Sequence, residues 1–184
     1  MGTTDNTLTR RIAAAALAVP LLGAGLTLVT SSPAYADDRV CRGAIGARTI
    51  DDNVVVPRGA TCRLIGTRVE GNVLVKSGGT LRAEGVRVDG NIQAQGARRV
   101  VVIPRADRRS VVKGNIQLTS GGRLGGVVQR SVVDGDIQLF SNRGRFVVRG
   151  NVVDGNLQCK SNTPRPTGGN NRVEGNKEGQ CRGL

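Results

Sequence analysis

One column of charge recurs along this chain at Asp51, Glu70, Asp89, Lys113, Asp134, Asp154 and Glu174. Carboxylates repeated on one face supply the oxygen ligands a divalent cation needs, or a paired acid and base. Here Lys113 interrupts the column, and Arg68, Arg87 and Arg172 precede Glu70, Asp89 and Glu174 by two residues on the same face. Ion pairing between neighbours relieves the repulsion, so the pattern favours a charge ladder over a cation site. There is no histidine, which removes Ser–His and Cys–His nucleophile systems. The cysteines lack the close pairing of a zinc site. The residues therefore predict no catalytic group, no metal and no cofactor.

Arginine is the other chemistry-bearing type. The chain has 27 Lys and Arg against 14 Asp and Glu, a net charge of +13. Such a surface attracts polyanions; a charge carried only for solubility is the alternative. Arg98, Arg99, Arg105, Arg108 and Arg109 crowd into one stretch and are the candidate anion-binding group. With no Trp, and Tyr35 in a leader, the only aromatics left are Phe140 and Phe146. That argues against base-stacking nucleic-acid recognition and aromatic sugar platforms.

These residues ride on a repeat. Val69-Glu70-Gly71-Asn72-Val73-Leu74-Val75 returns near residues 88, 112, 133 and 153, with degenerate copies from Ile50 and from Val173. The Asn/Asp position falls at Asn53, Asn72, Asn91, Asn115, Asp136, Asn156 and Asn176, giving steps of 19, 19, 24, 21, 20 and 20. A unit near twenty residues cannot bury its own apolar face and must stack on its neighbours. β-Branched residues stand three before the Asn. Apolar residues stand one and three after it, with Gln93, Gln117, Gln138 and Gln158 between them. That alternation is a strand with one buried face. The Gly-Asn pair reads as a bend in the left-handed region, with side-chain amides stacked in a ladder that Asp136 weakens unless a donor reaches it. The Gln column reads as a second, external amide ladder.

From about residue 41 to 181 the chain resembles the right-handed parallel β-helix proteins of pectin-lyase-like architecture. Their coils have about this length and stack Asn at one bend; a lyase's catalytic residues are not matched. The Val-x-Gly-Asn-Ile phrasing is similar to small secreted bacterial β-helix proteins, and more distantly to the bactofilins, whose short coils polymerise end to end. The expected fold is all-β, a right-handed parallel β-helix (solenoid) of about seven coils near 20 residues each. A β-sandwich or flat β-roll is the alternative.

Arg10-Arg11, the apolar run from Ile12 to Val29 and the small residues up to Ala36 read as a secretory signal peptide over residues 1–36, favoured over a membrane anchor because Pro20, Gly23 and Gly25 interrupt the run. The β-helix domain then spans 37–184, and no membrane association is expected after cleavage. Loss of Arg10, Arg11 and Asp5 leaves 25 basic and 13 acidic residues, a charge of +12. Cys41 and Cys62 are 21 residues apart and Cys159 and Cys181 are 22 apart, one coil each. Stacked positions lie about 4.8 Å apart, within disulfide reach, so these pairs should staple the first and last coils. The longest coil should bulge near residues 95–110, and residues 160–171 read as a loop. The functional expectation is a secreted, non-catalytic structural or surface-binding protein. Its partners would be an anionic polysaccharide or cell-wall polymer, or further copies stacked end to end on open strand edges. A minimal polysaccharide-binding or polysaccharide-cleaving, lyase-like β-helix is the competing expectation.

Overall fold

The computed structural model describes residues 38–106 and 108–184; the expected signal peptide lies outside them. The chain winds as a parallel β-solenoid of about seven coils, and the described residues contain no helix. Each coil lays one strand on each of three sheets, which have eight, seven and seven strands. The first sheet takes the residues after each Asn, such as Ile92–Gln95 and Ile116–Thr119. The third takes the two residues ending on the valine before it, such as Arg87–Val88. Register is like-on-like: Ile92 pairs with both Val73 and Ile116, and Val112 with both Val88 and Val133.

The second sheet, strands such as Thr80–Glu84 and Phe146–Arg149, lies outside the seven-residue pattern. Turns of changing length separate it from the first sheet, so its columns do not keep a constant distance from the Asn. It still supplies buried side chains to most coils, Leu81 and Ala83 in one and Val100 and Val102 in the next. Together with Val69, Val73, Val75 and their counterparts these fill the interior. Each buried Val or Leu contributes roughly 1.5–3 kcal/mol, and only once a neighbouring coil covers it. In one inward column Val100 pairs with Gly126 and Gly126 with Phe146. A Cβ on Gly126 would lie 2.7 Å from Phe146 Cε1, so the glycine makes room for the buried ring.

The Gly-Asn bend forms for a reason other than backbone handedness. None of Gly71, Gly90, Gly114, Gly135, Gly155 and Gly175, nor the Asn or Asp after each, has a positive φ. A Cβ on Gly114 would instead sit 2.5 Å from Asn91 Oδ1 and 2.8 Å from the Gly90 carbonyl oxygen. Glycine is required there by the close approach of the previous coil. The left-handed residues occupy the other two corners: Ser120, Ser141 and Ser161 (φ 53°, 55° and 56°) at one, Arg130 and Asn170 (φ 46° and 56°) at the other.

Both disulfides form as expected, with Cα–Cα distances of 5.5 Å for Cys41–Cys62 and 5.2 Å for Cys159–Cys181. The cysteines are not stacked partners, because Cys62 pairs with Gly43 and Cys159 with Gly179. Each bond crosses from a turn into the core at one end of the solenoid, where all four cysteines are buried. At the last coil Leu184 also packs on the core, and its N–H donates to the Cys181 carbonyl. At both terminal rungs of the first sheet a cation takes the place of the apolar residue one after the Asn: Arg39 pairs with Val54, and Lys177 with Leu157. The segment 160–171 is not all loop, since Thr167–Gly169 adds a strand on the template of Val147–Arg149.

Candidate polyanion-binding face

The carboxylate column is external, and among the described residues two of its six carboxylates, Glu70 and Asp89, are ion-paired. Asp89 lies 2.6 Å from Arg68, 3.0 Å from Lys113 and 3.3 Å from Arg87. Lys113 thus interrupts the column by bonding to the rung below it. That hydrogen bond, followed by the charges of Arg68, Lys113 and Arg87, holds the Asp89 carboxyl below its usual range against the opposing effect of burial. Arg68 also reaches Glu70 at 3.3 Å. Among the described residues no ion pair joins Arg172 to Glu174, and no group of three acids, cysteines or histidines is placed to hold a metal.

The Asn ladder runs the length of the solenoid. Each Oδ1 accepts from the backbone N–H of the Asn one coil on, as from Asn72 to Asn53 (2.8 Å) and Asn91 to Asn72 (2.9 Å). The side-chain amide donates to the same oxygen at 3.0 Å in both rungs. A donor does reach Asp136: Gln138 Nε2 lies 3.2 Å from its Oδ2, while Asn156 donates to its Oδ1. Asp38 is a further rung, accepting from Asn53 Nδ2 at 3.0 Å. The short first coil, with its step of 15, hid it from the spacing. The Gln column stacks as expected, Gln138 donating to Gln158 at 3.0 Å and Gln158 to Glu178 at 3.1 Å.

Two more amide ladders are buried deeper than the first. Asn142 donates to the Leu118 carbonyl at 2.8 Å and to Asn162 Oδ1 at 2.8 Å, and Gln180 Oε1 closes the series by accepting from Asn162 at 3.0 Å. At the third corner Asn151 donates to the Val128 carbonyl and to Asn171 Oδ1, each at 2.9 Å. Their signal was in the chain, since Asn142 and Asn162, like Asn151 and Asn171, recur at the coil step of 20. These ladders satisfy the buried polar groups of the corners and fix the turns that carry the arginines.

The charge is segregated around the section. Seventeen lysines and arginines fall between the end of a first-sheet strand and the start of the next third-sheet strand, with Glu84 as the described carboxylate there. Asp107 shares this span and lies outside the described residues. The remaining arc of each coil carries eight described cations against ten carboxylates. Glu84 is held below its usual range chiefly by its hydrogen bond from Arg82, with Arg63 at 3.4 Å also contributing. The outer face of the second sheet and its two corners therefore form a cationic side, and the Gly-Asn corner an acidic one.

The five arginines of the long coil divide across that side. Arg98 ends the turn between the first and second sheets, and Arg99 opens the strand Arg99–Ile103. The rest of that strand separates them from Arg105, Arg108 and Arg109 at the next corner. The extra residues of this coil fold as a small turn at the second corner, with Arg105 and Arg108 exchanging backbone hydrogen bonds of 2.9 Å each way. All five are exposed. Cations that the spacing did not single out, among them Arg58, Lys76, Arg123, Arg143, Arg145 and Arg165, continue the line of Arg98 along one corner. Among the described residues none of these has a carboxylate within ion-pair distance.

No family model matches this chain, and neither a curated protein nor a solved structure is similar to it at a significant level. Geometry and chemistry carry the functional reading.

Proposed function

We propose that this protein is an exported, non-catalytic β-solenoid that binds an anionic polymer of the cell envelope along its cationic side. The observation that carries the reading is the unpaired line of cations from Arg58 to Arg165 at one corner, with the carboxylates collected at another. Stacked coils lie about 4.8 Å apart, so the rigid scaffold gathers the turns that carry these cations into one row along the corner. A rigid row loses little conformational freedom on meeting an extended polymer, which favours affinity. The two disulfides fit a non-reducing compartment. No helix among the described residues is long and apolar enough to cross a membrane. The signal peptide at residues 1–36 and the likeness to small secreted β-helix proteins belong to the same reading.

The test is sedimentation of the disulfide-bonded protein with purified cell wall across a salt series. Binding at low salt that weakens steeply as salt rises is expected, because the affinity comes from displaced counterions. Neutralising Arg58, Lys76 and Arg98 together should flatten the salt dependence. An absence of binding at about 50 mM salt, or binding indifferent to salt, would overturn the reading.

A further inference from the structure

The turns between the first and second sheets change along the chain. They span residues 57–60, 76–79 and 96–98 in the early coils, then 120–125, 141–145 and 161–166. The longer three enclose an open cavity of about 840 Å³. Its wall includes Arg123, Arg143 and Arg145, the hydroxyl residues Ser141 and Ser161, and Leu124. Leu124 is 50% exposed, one of two large apolar side chains left in solvent among the described residues. An exposed leucine among three unpaired arginines has no role in the core.

We infer that this cavity is a built subsite for one oxyanion-bearing unit of a sugar or polyol polymer. It rests on the proposed polyanion reading and goes further by assigning a place and a ligand chemistry. Arginine's planar fork suits the two-oxygen edge of a phosphate or carboxylate. The hydroxyls of Ser141 and Ser161 suit neighbouring hydroxyls of the polymer, and Leu124 with Pro164 offers an apolar wall to the carbon face of a sugar or polyol. The walls are held from below: Ser141 donates its N–H to the Lys160 carbonyl at 2.9 Å, and Gly144 to the Thr163 carbonyl at 3.0 Å. The buried Asn142–Asn162 ladder sits under both turns. Pre-organisation of this kind separates a subsite from a charged surface.

The experiment titrates the disulfide-bonded protein with end-labelled poly(glycerol phosphate) and with polygalacturonate of matched charge. Three variants are compared: R143Q/R145Q, L124Q, and R58Q/K76Q/R98Q on the same corner away from the cavity. R143Q/R145Q is expected to weaken binding by at least about tenfold and to lower the salt slope by about two. L124Q is expected to weaken it about three- to tenfold with the salt slope unchanged, since an apolar contact releases no counterions. The distant triple variant should lower the salt slope yet leave the L124Q effect intact. Loss with one polymer alone supports the subsite and names its anion as phosphate or carboxylate; loss with both supports it as a general oxyanion site. If L124Q is silent and each removed cation costs the same wherever it lies, the subsite is wrong while the polyanion reading stands. If the unmodified protein binds neither polymer at low salt, both fall. Circular dichroism and thiol titration establish that each variant is folded and oxidised.

Discussion

Asp136 takes the backbone N–H of its own residue to Asn115 Oδ1 at 2.7 Å, yet its side chain donates nothing to that oxygen. At the rungs from Asn53 to Asn115, and at Asn156, a side-chain amide donates to the coil before. Asp136→Asn should complete the rung at the cost of the hydrogen bond from Gln138 to the lost carboxylate oxygen. The expected result is a rise in Tm equivalent to about 0.5–1.5 kcal/mol, the net value of one hydrogen bond, read by thermal unfolding. A drop in Tm would mean that the carboxylate, through Gln138, is worth more than the missing amide.

Gly114 and Gly46 provide a matched pair. A Cβ at Gly114 meets Asn91 Oδ1 at 2.5 Å, whereas one at Gly46 meets nothing within 4 Å. Gly114→Ala should cost about 2–4 kcal/mol through displaced backbone and a broken ladder. Gly46→Ala should be near neutral. Denaturant unfolding of the two variants decides the matter, and equal effects would refute close approach as the reason for the glycine column.

The buried corner ladder predicts a large, local effect. Asn142→Ala removes the donors to Leu118 and Asn162 and the acceptor for the Gly121 N–H, leaving buried groups without partners. A loss of about 2–4 kcal/mol is expected. Hydrogen exchange should rise first at Gly121, whose N–H loses its acceptor, and a uniform rise along the chain would contradict a local ladder.

Asp89 and Glu84 set a pH dependence. Both carboxyls are held below their usual range by basic neighbours, Lys113 first for Asp89 and Arg82 first for Glu84. The stability each contributes is therefore present above the ordinary carboxylate range of about 4. It is lost as pH falls through the lowered folded value. Asp89→Asn should lower Tm at pH 7, and the gap to the unmodified protein should close as the solution is acidified. A gap that widens in acid would reverse the assignment.

The sequence by itself determined the coil, because a repeat near twenty residues matches one circuit and places Val69, Val88 and Val112 in one buried column. The disulfide partners followed from the same step, since one coil of separation is all a bond between neighbours requires. The turns hid the rest. Their lengths vary from coil to coil, so the second sheet drifts relative to the Gly-Asn motif, and the short first coil displaces the Asp38 rung. The buried Asn142 and Asn151 ladders keep a constant offset from the motif, but each repeats over two coils only, too few to stand out as a column. The glycines of that motif looked like backbone hinges, and only packing against the coil below showed that they make space for an oxygen. The side an arginine faces depends on where each turn ends. For that reason tertiary structure alone brought Arg123, Arg143 and Arg145 around one cavity and set Arg98 and Arg105 at different corners.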